Sequence, residues 1–171
     1  MARYVAFLRG VSPTNASMPA LKACFEGAGF TDVRTVLSSG NVVFDTRAAS
    51  EAAIERKAEA AMQEALGRSF YTIVRATKHL QTLLDTDPFA AHGVPARAKR
   101  VVSFLRATCE PRKALPLAQD EAAVLCMIGR EVFSAYLPSD KGPVFMKLIE
   151  NAFGQEVTTR TWDTVAKCAA A

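Results

Sequence analysis

Hydrophobic positions in the first 76 residues follow two kinds of pattern, one typical of strands and one typical of helices. Runs rich in aromatic and β-branched residues predict strands at 3–9, 33–37, 42–45 and 70–74. Apolar residues spaced by three and four positions predict two helices, which Ser17 and Ser50 cap at their starts. The resulting order, βαββαβ, is that of the ferredoxin-like motif.

The second half of the chain repeats this order. The same patterns predict strands at 100–105, 123–128, 132–137 and 157–159. They predict helices from Pro111 to Pro116, from Gly142-Pro143 onward, and from Trp162 to about Ala169.

A short apolar helix after Thr77 and the linker-like stretch AAHGVPARAKR join the two halves. We therefore predict an α+β protein made of two ferredoxin-like βαββαβ halves with antiparallel sheets, plus a linking helix and a C-terminal helix. The predicted domains are residues 1–76, a helix and linker at 77–98, and residues 99–171, which include the C-terminal helix.

The βαββαβ order predicts a candidate site at one end of the first sheet. A crossover helix makes the first two strands parallel, so the loop after the first strand and the turn after the second lie at the same end. The residues at that end are Arg9, Gly10, Ser38, Ser39, Gly40 and Asn41. Arg9 supplies a cation, and the N–H groups at the start of the first helix favour an anion. These residues predict a pocket for a small anionic ligand.

A second interpretation of the same residues is purely structural. Ser, Gly and Asn are the residues that a tight hairpin turn with positive φ requires, and turn chemistry alone explains them. Arg9 would then cover an apolar edge and pair with Asp45. Arg160 and Trp162 form another candidate ligand-binding pair, although a single Trp beside a helix cap more often docks that helix in the core.

Residue patterns typical of catalytic or metal centres are missing from the sequence. His79 and His92 lie far apart, and no G-x-S-x-G, Walker or G-x-G-x-x-G motif occurs. We therefore predict no metal, cofactor or catalytic residue, and an enzyme of unknown reaction is kept only as an alternative. The four cysteines form no C-x-x-C pair, which is typical of reduced thiols in a cytoplasmic protein.

A formal net charge of +4 and a pI of about 9.0 permit nucleic-acid binding without requiring it. The densest basic cluster, at Arg97, Lys99 and Arg100, is interpreted as part of a solvated linker. RNA-recognition modules stack bases on aromatic residues of their first and third strands. Here Tyr4 and Phe7 point to opposite faces of the first strand, and the third strand has only Phe44. A nucleic-acid-binding module is therefore an alternative that we do not favour.

The sequence also predicts that the protein does not enter a membrane. No apolar stretch approaches the ~20 residues that a transmembrane helix needs, and the start MARYVAFLRG lacks the cleavage site of a signal peptide. We expect a soluble, cytoplasmic protein. The sequence does not define its oligomeric state.

Several stretches resemble the bacterial domain-of-unknown-function 1697 family. They are YVAFLRGV, then MPALKACFEGAGFTDVRTVLSSGNVVFD, then IENAFG and TTRTWDTVAK, in this order along most of the chain. The segment from Asp87 to Leu117 carries little of the likeness. The resemblance implies an α+β protein with ferredoxin-like halves and no established activity.

This sequence departs from the pattern of that family at polar positions. Ser12 stands where the family usually has Asn, and Pro13 and Thr14 replace loop glycines. The usual R-N-W-N-T has become R-T-W-D-T, with Thr161 and Asp163, and a usual Ser-Lys pair aligns with Gly142-Pro143. If these positions form a ligand site in the family, the resemblance implies a different or weaker ligand here.

Overall fold

The computed structural model of the protein describes residues 1–138 and 144–171, so the helix start predicted at Gly142-Pro143 lies outside the described residues. The chain divides into two compact units. The first comprises Met1–Thr82 with Thr164–Ala171, and the second comprises Leu83–Asp163. Most of the C-terminal helix is grouped with the first unit.

The first unit has the predicted βαββαβ order. Its elements are β1 (Ala2–Leu8), α1 (Met18–Gly27), β2 (Thr31–Thr35), β3 (Asn41–Thr46), α2 (Glu51–Leu66) and β4 (Thr72–Ala76), followed by α3 (Thr77–Thr86). The four strands form one sheet in the order β2-β3-β1-β4, and all neighbours are antiparallel. The prediction of an α+β fold with antiparallel sheets is confirmed.

The helices α1 and α2 begin where the sequence predicted. The Ser17 hydroxyl accepts a hydrogen bond from the Ala20 N–H at 3.2 Å, and the Ser50 hydroxyl accepts one from the Ala53 N–H at 3.1 Å. These bonds satisfy backbone donors that have no partner inside the helix. Gly67 ends α2 in the left-handed conformation with φ 72°.

One face of the first sheet packs against α1 and α2. Tyr4, Ala6 and Leu8 of β1 belong to the same buried apolar cluster as Phe25 of α1 and Met62 of α2. The alternation along β1 therefore matches the predicted strand, because residues two apart share a face.

Two glutamates of α2 cover the outer edge of β4. The Val74 N–H donates to Glu55 Oε2 at 2.9 Å, and the Thr72 N–H donates to Glu59 Oε2 at 3.2 Å. Because β4 is the last strand of its sheet, these N–H groups face away from β1. The carboxylates take the place of a neighbouring strand and close an edge that would otherwise be open to pairing.

The second unit contains a five-stranded antiparallel sheet. Its elements are a 3₁₀ helix (Ala90–His92), β5 (Lys99–Leu105), β6 (Leu117–Gln119), β7 (Ala122–Ile128), β8 (Glu131–Tyr136), α4 (Val144–Phe153) and β9 (Val157–Thr161), and α5 (Trp162–Ala170) follows. The strand order is β6-β7-β8-β5-β9. One face packs against α4, whose Leu148 and Ile149 are buried with Val101 and Val132.

The helix predicted from Pro111 to Pro116 is wrong. This stretch is irregular, and the chain then forms the edge strand β6. Fewer than two helical turns fit between the two prolines, and a helix that short does not recover the cost of its first turn. The Arg112 N–H donates instead to the carbonyl of Ala152 in α4, at 2.8 Å.

The turn between β2 and β3 depends on Gly40. Gly40 has φ +87°, and a Cβ placed there would lie 2.9 Å from Cβ of Val11 and 3.1 Å from Cβ of Leu8. The Leu8 N–H also donates to the Gly40 carbonyl at 2.9 Å. Both the backbone conformation and the close approach therefore require glycine.

We expect Gly40→Ala to lower the free energy of unfolding by roughly 2–4 kcal/mol, because backbone strain and overpacking add. Gly10→Ala is the matched control, since Gly10 has φ +82° but nothing within 4 Å of an added Cβ. Gly10→Ala should lower the free energy of unfolding by only about 1–2 kcal/mol. Urea unfolding of both variants measures the difference, and equal losses would contradict the steric part of this account.

Two buried serines lie on the face of the second sheet that α4 covers. The Ser103 hydroxyl is 2.8 Å from the hydroxyl of Thr159, whereas the Ser134 hydroxyl is buried without a hydrogen-bond partner among the described residues. An unpaired buried hydroxyl destabilises the folded state, and a paired one does not.

We expect Ser134→Ala to raise the free energy of unfolding by about 1 kcal/mol, because it removes an unsatisfied polar group. Ser103→Ala should lower it by about 1–3 kcal/mol, because it leaves the Thr159 hydroxyl unpaired. Denaturant unfolding checks both signs. A loss of stability in Ser134→Ala would show that its hydroxyl is satisfied in solution.

Candidate anion-binding site

The structure places the predicted loop and turn of the first unit at the same end of the sheet. Phe7 of β1 pairs with Asn41 of β3, and the Leu8 N–H reaches the Gly40 carbonyl. Arg9 and Asn41 therefore lie at one rim, as the crossover topology predicted. Gly10 and the exposed Ser38 and Ser39 lie in the same loop and turn.

The polar groups at this rim mainly support the backbone. Asn41 is completely buried, and its Nδ2 donates to the Val36 carbonyl at 2.9 Å and to Ser39 Oγ at 3.0 Å. In the neighbouring loop, Asn15 Nδ2 donates to the Gly10 carbonyl at 2.8 Å. This geometry supports the turn interpretation of the Ser-Gly-Asn stretch.

Arg9 itself is partly exposed, and its N–H donates to the Tyr71 carbonyl at 2.9 Å. Asp45, which the sequence offered as its partner, forms an ion pair with Arg3 at 2.9 Å. Arg3 and Asp45 face one another in the β1–β3 register, which explains this pairing.

The second predicted pair lies in the second unit, and its two residues differ in exposure. The side chain of Arg160 is buried, and its Nη1 donates to Thr158 Oγ1 at 2.7 Å and to the Thr159 carbonyl at 2.8 Å. Trp162 is half-buried at the start of α5. Trp162 is thus partly exposed, whereas the guanidinium of Arg160 bonds to residues of β9 itself.

A cavity forms beside Trp162, where β5 begins and β9 ends. Because Val101 of β5 pairs with Thr161 of β9 in antiparallel register, the residues before Val101 adjoin those after Thr161. The cavity has a volume of about 460 Å³. Its lining consists of Ala96, Arg97, Ala98, Lys99, Arg100, Thr161, Trp162 and Asp163.

Three cationic residues belong to the lining of this cavity, namely Arg97, Lys99 and Arg100. Arg97 lies within a turn that the hydrogen bond from the Ala98 N–H to the Pro95 carbonyl closes at 3.0 Å, and Lys99 and Arg100 are the first residues of β5. Within residues 1–138 and 144–171, no carboxylate forms an ion pair with any of the three. The sole acidic residue of the lining is Asp163.

Aromatic residues hold the wall of the cavity. The ring of Trp162 meets Phe89 edge to face at 5.2 Å and 70°, and it meets Phe133 at 6.1 Å and 80°. The guanidinium carbon of Arg100 lies 5.9 Å from the centre of the Phe89 ring. Arg100 Nε is buried and has no hydrogen-bond partner in the described parts of the chain.

The sequence singled out Trp162 but missed its neighbours in space. Arg97, Lys99 and Arg100 were interpreted as part of a solvated linker, although Lys99 directly precedes the predicted strand and Arg100 begins it. Pairing of that strand with the one before Trp162 was the signal that would have found them. Thr161 and Asp163, where the sequence departs from the family pattern, also line the cavity.

The aromatic residues considered for base stacking are buried. Tyr4 and Phe44 pack against each other beneath the helices of the first unit, with ring centres 6.2 Å apart, and Phe7 is fully buried. A base therefore has no exposed ring on these strands to stack on.

Other chemistry in the described residues is limited. No cluster of three or more His, Cys, Asp or Glu side chains suited to holding a metal ion occurs among them. Burial raises the pKa of the Cys24 and Cys126 thiols, so both are less reactive than an exposed thiol. None of the described helices has the length and hydrophobicity to cross a membrane.

Comparison with known proteins identifies relatives without a known activity. No curated protein matches the chain. A solved structure of a conserved bacterial protein from Streptococcus pneumoniae has a similar fold, with a TM-score of 0.71, 15% identity, and coverage of 99% of this chain and 97% of that one. The family model of the protein of unknown function DUF1697 matches residues 1–133. The chain therefore belongs to the DUF1697 family.

Proposed function

We propose that the protein binds a small anionic ligand in the cavity of the second unit. The observation that carries this proposal is that Arg97, Lys99 and Arg100 all belong to the lining of one cavity and form no ion pair with a described carboxylate. Like charges brought together repel one another, and an anion bound between them relieves that repulsion.

Arg100 gives the anion a specific partner. Its Nε is a buried donor without an acceptor in the described chain, which costs about 1–3 kcal/mol. A phosphate or carboxylate oxygen bound to the guanidinium of Arg100 forms a charge-assisted hydrogen bond, which is stronger than a neutral one. The first turn of α5 adds the partial positive charge of a helix start.

The rim of the first unit is the weaker location for the same function. Arg9, Gly10, Ser38, Ser39, Gly40 and Asn41 were predicted there from the sequence. The amide of Asn41 already holds the turn, and Gly40 is needed for its conformation. Binding at this rim stays a prediction, with Arg9 as its cation. The nucleic-acid and enzyme alternatives have no comparable support in these contacts.

The proposal predicts that inorganic pyrophosphate binds beside Trp162. This is the only tryptophan of the chain, so its fluorescence reports on the cavity directly. We expect a saturable change in fluorescence, weakened by added salt because exposed cations are screened. Arg100→Met should weaken binding roughly 10- to 100-fold, because it removes a charge-assisted hydrogen bond.

Lys113→Met is the matched control for this experiment. Lys113 is an exposed cation of the same unit that does not line the cavity, so the substitution changes the net charge equally. The affinity of the Lys113→Met variant for pyrophosphate should stay within about twofold of that of the wild type, because long-range charge effects are screened. Equal weakening in both variants, or no saturable change in the wild type, would reject the cavity as the site. Arg9→Met then tests the first-unit rim.

A further inference from the structure

We infer that the anion bound in this cavity carries a planar ring and hydrogen-bond donors, and that it is a nucleoside monophosphate. This inference rests on the proposed function and assigns a ligand class to the same site. It follows from the cavity's composition, which combines a cationic group, an aromatic side chain and one carboxylate.

The first argument is the arrangement of Trp162. Phe89 and Phe133 meet its ring at 70° and 80°, which fixes the ring from the interior. Trp162 is nevertheless partly exposed, and it belongs to the lining of the cavity. Trp162 therefore combines a ring position fixed by two aromatic neighbours with an exposed part that belongs to the cavity lining. Flat rings bind such surfaces by stacking.

The second argument is size. A volume of about 460 Å³ lies within the ~300–1,000 Å³ typical of pockets for small organic ligands. An inorganic phosphate ion contacting Arg97, Lys99 and Arg100 would leave most of this volume to water. A ligand with a ring and a sugar beside its phosphate fills it.

The third argument is the carboxylate of Asp163. It lies in the lining of an otherwise cationic cavity and forms no ion pair with a described cation. A carboxylate accepts hydrogen bonds and repels an anionic group, so it is complementary to the uncharged part of a ligand. Ribose hydroxyls and the amino groups of bases are donors of this kind.

These three arguments give each part of the ligand a partner. The phosphate lies with Arg97, Lys99 and Arg100, the base stacks on Trp162, and a hydroxyl or amino group donates to Asp163. A plain dicarboxylate or inorganic anion satisfies only the first of these partners. The ligand is a free mononucleotide and not a nucleic-acid strand, because Trp162 is the sole aromatic residue among the described residues of the lining and so offers a stacking partner to one base.

Isothermal titration calorimetry of the full chain tests this inference. The probes are AMP, GMP, CMP and UMP, each compared with ribose 5-phosphate, which carries the same phosphate and sugar without the base. At least one mononucleotide should bind about tenfold more tightly than ribose 5-phosphate, because stacking adds to phosphate binding. If none does, while pyrophosphate still binds, the inference falls and the proposed anion site stands.

Substitution of the tryptophan provides the second test. Trp162→Leu should bring mononucleotide affinity down to that of ribose 5-phosphate and leave pyrophosphate affinity within about twofold, because only stacking is lost. Trp162→Phe keeps an aromatic ring between Phe89 and Phe133, and it should retain most of the preference for a base. If Trp162→Leu does not fold, the affinities of Trp162→Phe and Asp163→Asn for mononucleotides and for pyrophosphate test the inference instead.

Asp163→Asn should weaken the binding of mononucleotides more than the binding of pyrophosphate, because it removes the charged acceptor for the hydrogen-bond donors of the nucleotide. A uniform effect on both probes would contradict the assigned role of Asp163. A hexanucleotide that binds more tightly than every mononucleotide would overturn the assignment to a free ligand. Absence of binding by pyrophosphate and by all nucleotides would reject the anion site and the inference together.

Discussion

Each unit depends on one constraint, which is that its first strand forms backbone hydrogen bonds with a neighbouring strand on both edges. β1 lies between β3 and β4, and β5 lies between β8 and β9. A central strand has no free backbone donors or acceptors on its edges, so its neighbours fix the positions of both of its ends. In the second unit, antiparallel pairing brings the chain leaving β9 beside the chain entering β5. The cavity beside Trp162 lies at this junction.

The cavity combines rigidity with unbalanced charge, and these properties come from different parts of the second unit. Phe89 and Phe133 hold Trp162 by edge-to-face contacts, so the wall does not need a ligand to form. The cations, in contrast, lack described ion-pair partners, and Arg97 and Lys99 are exposed while Arg100 is partly buried. Keeping like charges close together costs stability, and proteins accept that cost mainly at functional sites.

Interactions between near neighbours were predicted well. The caps at Ser17 and Ser50 and the stop at Gly67 follow from side chains that bond to backbone within three or four residues. The Ser39-Gly40-Asn41 stretch illustrates the limit of this reasoning. Its residue types suit both an anion pocket and a hairpin turn, and only the contacts of Asn41 with Val36 and Ser39 favour the turn.

The sequence by itself determined the fold class, the order of elements in the first unit and most helix starts, because these depend on periodicity and on local hydrogen bonds. Only the tertiary structure decided that Arg97, Lys99 and Arg100 adjoin Trp162, and that the segment after Pro111 forms no helix. Strand pairing joins residues far apart in the chain, so element order indicates which strand ends are neighbours, whereas the particular side chains that line a cavity there depend on the packing of the folded chain.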